Sequence, residues 1–170
     1  EYVITIADRF ETLATSIAAS YQRIKLIHIQ GGEISGNIDN KVRNANTTLS
    51  DLHFVSTSNS EKRILSMGCT AEKVFNYGCP SVDLALEYSK RTINISDIQG
   101  LGKLNLNNPD YLVIMNHPDT ELASEAGEHT KELLDAILNL GLNTFWFWPN
   151  SDSGSDAISK VLRKFREKDD

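Results

Sequence analysis

The stretch YVITIADRFETLATSIAASYQRIKLIHI, residues 2–29, holds two short apolar runs separated by a helical pattern. The runs at residues 2–7 and 24–29 are rich in β-branched side chains, which is typical of strands. The residues between them place large apolar side chains on one side of a helix, at Phe10, Leu13, Ile17 and Tyr21. Because both runs are continuously apolar rather than alternating, the sequence predicts a parallel sheet that helices cover on both faces.

The same alternation of strand and helix continues along the chain. Further strands are predicted at residues 52–57, 73–78, 111–116 and 144–148, and further helices at residues 39–50, 59–68, 121–141 and 155–168. Residues 89–109 interrupt the pattern with polar residues, two glycines and an Asn-Asn-Pro turn, which is typical of a linker. We therefore predict an α/β protein with domains at residues 1–90 and 109–170, joined by an interdomain linker at residues 91–108.

Composition excludes several classes of protein. With 170 residues, 40% hydrophobic content and a formal net charge of -6, the chain can bury a core but lacks the overall basicity of a nucleic-acid binder. Cys69 and Cys79 have no metal-like spacing to histidine, so we predict neither a disulfide framework nor a metal site, and interpret both thiols as packing residues. We expect no membrane span, a cytoplasmic location and, from a start inside a strand without Met, a fragment of a longer protein.

Polar residues follow several of the predicted strands. Ligands of open parallel sheets bind beyond the carboxyl ends of the strands, so these residues are the first candidates for a site. Asp8 and Arg9 follow the first strand, and QGGEISGNID at residues 30–39 follows the second. His117 follows the strand at residues 111–116, and PNSDSGSD at residues 149–156 follows the last strand.

Each candidate also has a purely structural interpretation. Asp8 and Glu11 have the spacing of a capping box, and Asp39 could cap the helix that follows it. Gly31 and Gly32 are compatible with a tight turn, and a single histidine such as His117 is more often a structural hydrogen-bonding group. The residues alone leave these alternatives open.

The loop before the last helix has the features of an anion site. Exposed amides and the dipole of a helix N-terminus favour a phosphate. The same residue types are also routine in turns and caps. The candidates in this loop are Asn150, Asp152, Ser153 and Gly154.

Five segments together resemble one family. ADRFETLA, HIQGGEISGNIDNKVRNANTTLSDLHF, MGCTAEKVFNYGCPSVD, NHPDTE and FWPNSDSGSD are similar, in this order, to the hydrolysing UDP-N-acetylglucosamine 2-epimerases of the sialic-acid branch. The resemblance implies Rossmann-like parallel sheets in a GT-B two-domain arrangement. Members are roughly twice as long, which implies that both domains are incomplete here: the later part of the N-terminal domain and the first part of the C-terminal, UDP-binding domain.

The resemblance also implies roles for single residues. Asp8 and Asp39 match the acid–base carboxylates, His117 matches a third catalytic residue that lies against the sugar and diphosphate, and Arg9 and Asn150 contact the nucleotide. The other residues implied to bind substrate are Gln30, Gly31, Gly32, Glu33, Arg43, Asp152, Ser153 and Gly154. Gln30 replaces a Glu or His of relatives, and an amide cannot take up a proton, so we expect it to orient the substrate.

Three further positions depart from the family pattern. Ala7 replaces a usual glycine, Asn44 replaces a usual histidine, and Asp119 falls where the usual run is HPVTT. They affect the expected substrate more than the expected reaction.

The implied reaction eliminates UDP from UDP-N-acetylglucosamine through a glycal and adds water to give N-acetylmannosamine, without a cofactor or metal. The implied partner is a UDP-sugar, and the full-length protein is expected to be a homo-oligomer. Three alternatives stay open: the same chemistry on a UDP-diacetamido-trideoxy sugar, a GT-B glycosyltransferase, and a non-catalytic nucleotide-sugar sensor. We expect the chain by itself to be inactive and marginally stable.

Overall fold

The computed structural model describes residues 1–92 and 110–169. The chain divides into two compact units, Glu1–Asn94 and Ile95–Asp170. The predicted linker at residues 91–108 lies almost entirely outside the described residues.

The first unit is a four-stranded parallel sheet in the order β1-β2-β3-β4. Each strand is followed by a helix along the chain. The elements are β1 (Tyr2–Ile6), α1 (Phe10–Tyr21), β2 (Lys25–Ile29), α2 (Asn37–Leu49), β3 (Leu52–Val55), α3 (Ser58–Ser66), β4 (Val74–Asn76) and α4 (Pro80–Tyr88).

One face of this sheet is buried and the other is open. Because each crossover leads to the next strand in the same direction, right-handed connections place α1, α2 and α3 on one face. That face carries the buried side chains of Leu26, His28, His53 and Val55. On the opposite face, Tyr2, Ile4 and Ile6 of β1 are 63%, 58% and 52% exposed. In the first unit, α1, α2 and α3 therefore cover one face of the sheet, and the opposite face of β1 is exposed.

The second unit contains two parallel strands and two long helices. Its elements are β5 (Tyr111–Met115), α5 (Ala126–Leu138), β6 (Asn143–Phe147) and α6 (Ser155–Asp169). α5 packs on α6, and a Cβ added at Gly127 would lie 3.5 Å from the Cβ of Ala157. The helix predicted from residue 121 begins only at Ala126, because the Asp119 carboxylate caps a separate short 3-10 turn by accepting from the Glu121 amide at 3.0 Å.

All six predicted strands are present, and so are the five predicted helices, with shifted ends. α4 was not predicted. Within the described ranges, no helix combines the length and apolar character that crossing a membrane requires.

Candidate functional site

The first part of the candidate site is an ion pair between Asp8 and Arg43. Asp8 lies just beyond the carboxyl end of β1, and Arg43 lies in the middle of α2. The Nη2 group of Arg43 donates to the Asp8 carboxylate, with side-chain exposures of 5% for arginine and 21% for aspartate. Burial lowers the pKa of Arg43. A carboxylate is thus fixed at the sheet edge, facing a cation that has lost most of its water.

This geometry overturns the capping interpretation of Asp8. The N-cap of α1 is Arg9, and no side chain caps that helix end. Glu11 does not reach back to the helix start but accepts from Arg9 at 2.9 and 3.1 Å, and this hydrogen bonding lowers the pKa of Glu11. The capping spacing is present in the sequence, but the ion pair with Arg43 engages the Asp8 side chain instead.

Arg43 also connects the carboxylate to the glycine-containing loop. Its Nη1 group donates to the Glu33 carbonyl at 2.9 Å and to the Asn40 Oδ1 at 3.0 Å, while Nη2 donates to the Ser35 hydroxyl at 3.0 Å. A single guanidinium therefore holds Asp8, the loop and the first turns of α2 in one geometry.

Both glycines of the loop are required by close contacts. A Cβ at Gly32, where φ is +77°, would lie 2.4 Å from the Ser60 carbonyl oxygen. A Cβ at Gly31 would lie 2.9 Å from both His28 Nδ1 and Ile64 Cδ1. The loop therefore rests directly on the start of α3 and on the buried histidine, so a side chain at either position would displace it.

A buried polar network supports the backbone before Asp8. His28 Nε2 lies 2.9 Å from the Ala7 carbonyl oxygen, which can only accept, so Nε2 carries the proton and Nδ1 accepts from the Thr47 hydroxyl at 3.1 Å. Asn46 donates to the same carbonyl at 3.3 Å. Burial lowers the pKa of His28, which agrees with a neutral ring. Ala7 has a φ of 59°, a conformation that glycine adopts freely.

Gln30 directly follows the carboxyl end of β2 and has an unusual backbone conformation. Its φ is 63°, its amide N–H donates to the Phe54 carbonyl at 2.8 Å, and its side-chain Nε2 lies 3.5 Å from Cys79 Sγ. Cys79 is the N-cap of α4, and backbone hydrogen bonds from Val82 and Ser81 lower its pKa. Cys69 packs against the core of Val55, Ile64 and Val74, as predicted, whereas Cys79 is partly buried and its sulfur lies against the Gln30 side chain.

Asp39 lies in the first turn of α2, beside the Arg43 network. The N-cap of α2 is Gly36, so Asp39 is not the capping residue. Its backbone N–H donates to the Asn37 side chain at 3.0 Å, and its side chain is partly exposed. The carboxylate is therefore accessible next to Asn40, which Arg43 holds.

The predicted residues of the second unit come together around His117. The Asn150 backbone N–H donates to His117 Nδ1 at 3.2 Å, and the Asn150 side chain donates to the Asp152 carboxylate. Gly154, with φ of +99°, lies so close to the preceding loop that a Cβ there would be 3.0 Å from Pro118 Cβ. Ser153 is exposed. The ends of β5 and β6 thus form one local cluster, with His117 Nε2 not engaged by that hydrogen bond.

Several residues of the first cluster were not predicted. Asn40, Asn46 and Thr47, which were not predicted, recur with the predicted Arg43 at intervals of three and four, which places them on one side of α2. This polar stripe was the available signal for Asn46 and Thr47, whereas nothing local indicates Arg63 or Cys79. Across residues 1–92 and 110–169, no group of three or more His, Cys, Asp or Glu side chains is arranged to hold a metal ion.

Comparison with known proteins gives a consistent result. A family profile described as UDP-N-acetylglucosamine 2-epimerase matches residues 1–168. A Legionella pneumophila protein named UDP-N,N'-diacetylbacillosamine 2-epimerase (hydrolyzing) is 32% identical over 167 residues, covering 97% of this chain and 43% of that protein. The Escherichia coli polysialic acid biosynthesis protein P7 is 34% identical over 170 residues, covering 96% of this chain and 41% of that protein.

Solved structures share the fold. The Methanocaldococcus jannaschii UDP-GlcNAc 2-epimerase in complex with UDP-GlcNAc and UDP aligns with a TM-score of 0.70 at 18% identity, covering 99% of this chain and 46% of that chain. The Neisseria meningitidis enzyme bound to UDP-GlcNAc aligns with a TM-score of 0.65 at 19% identity, covering 95% and 46%. The predicted fold class, Rossmann-like parallel sheets of a GT-B arrangement with both domains incomplete, is confirmed.

Proposed function

Because the chain belongs to the UDP-N-acetylglucosamine 2-epimerase family, we propose that the full-length protein is a hydrolysing member of it. The chain spans 43% of the length of the Legionella pneumophila relative, whose name includes the word hydrolyzing. It also spans 43% of the Neisseria meningitidis relative named UDP-N-acetylglucosamine 2-epimerase. The proposal therefore concerns the whole protein, and the 170-residue chain alone is proposed to be inactive.

The observation that carries the proposal is the placement of the two carboxylates. Asp8 lies beyond the end of β1 and Asp39 lies in the first turn of α2, and Arg43 contacts the first directly and the residue next to the second. Elimination needs a base that removes the C2 proton while the C1–O bond to UDP breaks. Hydration then delivers water oxygen to C1 and a proton to C2. Two carboxylates on a rigid support supply both proton transfers.

The remaining residues bind and orient in this proposal. Gln30, Gly31, Gly32 and Glu33 form the loop beside the sugar, and Arg43 is a substrate-binding residue that also holds that loop and Asp8 in place. In the second unit, His117 faces the sugar and diphosphate. The nucleotide contacts are assigned to Arg9, Asn150, Asp152, Ser153 and Gly154.

Two substrates are compatible with the relatives. The Neisseria meningitidis relative named UDP-N-acetylglucosamine 2-epimerase supports UDP-N-acetylglucosamine, and the polysialic acid biosynthesis protein supports a sialic-acid-type pathway. The Legionella relative instead supports a UDP-diacetamido-trideoxy sugar. The first is our principal proposal. The same proposal includes a cytoplasmic location and homo-oligomeric assembly of the full-length protein.

Incubation of the full-length protein with each UDP-sugar, without an acceptor, tests the function. We expect release of UDP together with the free 2-epimerised sugar, and deuterium at C2 when the reaction is run in D2O. A glycosyltransferase releases no 2-epimerised sugar, and a sensor binds the nucleotide sugar and releases nothing. Either result would replace the proposal.

The assignment of the carboxylates has its own test. Asp8→Asn and Asp39→Asn are expected to lower turnover by about 10²-fold or more while UDP still binds, which is the scale of losing a general acid or base. Asp83→Asn, the same chemical change in the exposed first turn of α4, serves as the control. Wild-type turnover in both variants, accompanied only by earlier melting, would assign Asp8 and Asp39 to stability.

A further inference from the structure

A second arginine reaches the glycine-containing loop from the other side. Arg63 lies on α3, and its Nη1 group donates to the Gly32 carbonyl at 2.8 Å. Arg43, on α2, donates to the carbonyl of the next residue, Glu33. Two consecutive loop carbonyls are therefore each held by a guanidinium from a different helix.

The loop can accept this bond only because of how it lies on α3. The missing side chain at Gly32 lets the backbone pack against the Ser60 carbonyl. Ser60 is itself fixed at the helix start, where its N–H donates to the Thr57 hydroxyl oxygen at 3.1 Å. Arg63 follows Ser60 by three residues, so it lies about one helical turn further along α3, on the side of the helix that faces the loop.

We propose that Arg63 is a positioning residue, which holds the loop of residues 30–33 so that Gln30 meets the sugar in a productive orientation. This inference rests on the proposed function. Gly32 is buried, so loss of Arg63 leaves a carbonyl without its charged donor and frees the loop on the α3 side. Within the part of the chain that the structure describes, Arg63 forms no hydrogen bond or ion pair with Asp8 or Asp39, so its effect reaches the reaction through the loop alone.

The test compares three variants of the full-length protein. Arg63→Met keeps the length and apolar stem of the side chain but removes its donors, and Arg63→Lys restores one charged donor. Lys62→Met removes a positive charge from the adjacent, exposed position and is the control. Each variant is measured for turnover, for UDP affinity and for hydrogen exchange of peptides that cover residues 30–35.

In R63M we expect the backbone amides of residues 30–35 to exchange hydrogen faster than in the wild type. We also expect turnover to fall by about tenfold or more, which corresponds to the loss of one hydrogen bond to a charged group. UDP affinity is expected to stay within about twofold, since the nucleotide contacts assigned above, other than Arg9, lie in the second unit. R63K is expected to recover most of the loss, and K62M to behave like wild type. A purely structural role would lower the melting temperature without this recovery and without a local change in exchange.

Unchanged loop exchange in R63M, or an equal loss of turnover in K62M, would overturn the proposal. If R63M does not fold, R63K decides: any turnover that it loses is expected to come with faster loop exchange, and a loss of turnover with wild-type loop exchange would contradict the inference. Failure of the proposed function is recognised separately: wild-type protein then forms no UDP from either sugar, while the exchange measurements still decide the role of Arg63.

Discussion

Replacing Asp8 by asparagine and Arg43 by methionine, singly and together, measures how strongly the two side chains are coupled. Unit charges about 4 Å apart attract by about 4 kcal/mol at an effective dielectric constant of about 20. The desolvation of Arg43, only 5% exposed, offsets part of this attraction, while Asp8 remains 21% exposed. Coupling energies within one network run from about 0.5 to 3 kcal/mol, and we expect about 2 kcal/mol here.

Hydrogen exchange of the β2 amides is a suitable assay, since it reports opening of the first unit without a contribution from the second. Arg43→Met alone is expected to lower the free energy of opening by about 3 kcal/mol or more, because it leaves a partly buried carboxylate unpaired. The double variant is expected to lose less than the sum of the two single variants.

The Arg9–Glu11 pair supplies the matched control. Its side chains are 49% and 52% exposed, so solvent screens the attraction and the coupling is expected to be much smaller. An Asp8–Arg43 coupling no larger than that of the control pair would refute the argument that a desolvated arginine fixes the carboxylate.

Three other predictions follow from the same unit. Ala7→Gly is expected to stabilise it by about 1 kcal/mol in urea titrations, because φ is 59°, whereas Ala14→Gly within α1 is expected to destabilise it by about as much. Cys79 is expected to react with iodoacetamide faster than Cys69 near neutral pH, because backbone hydrogen bonds lower the pKa of Cys79 whereas burial raises the pKa of Cys69. Equal reaction rates of the two thiols, followed by mass spectrometry, would contradict this. Burial and the neighbouring His28 lower the pKa of His53 to about 4 from 6.5, so the unfolded chain binds more protons between these pH values. The contribution of His53 to the free energy of unfolding is complete above about pH 6.5 and is lost as the pH falls towards about 4, with a decline of about 2 kcal/mol by about pH 5. His53→Gln is expected to remove this decline in urea titrations.

Local patterns predicted the strands because each is a short run bounded by polar turns. They did not predict α4, and the reason is visible in its sequence. Val82, Leu84, Leu86 and Tyr88 alternate with polar or small residues, a period typical of strands, and all four are more than half exposed. The proline at the first helical position favours the start of a helix. The helix has no apolar face that packs against the described part of the unit, so the sequence carries no helical pattern of apolar residues.

The candidate site was only partly predictable for a different reason. The strand-end rule identified Asp8 and residues 30–39 correctly as neighbours, since parallel strands end at the same sheet edge. The bond between Asp8 and Arg43 joins residues 35 positions apart, and the bond between Arg63 and Gly32 joins residues 31 positions apart. Contacts of this range depend on where two helices pack, which a linear pattern does not specify.

Gln30 shows how the strand ends divide their tasks. Ala7 is the first residue after β1, and Gln30 is the first residue after the adjacent strand β2. Both have positive φ, so the chain turns away from the sheet at the same level in each case. After β1 that turn places a carboxylate against Arg43; after β2 it places an amide against the Cys79 thiol. The amide can orient a sugar hydroxyl or acetamido group but cannot exchange a proton with it near neutral pH. In the proposed reaction, proton transfer therefore falls to Asp8 and Asp39, and Gln30 acts through the orientation that its loop gives it.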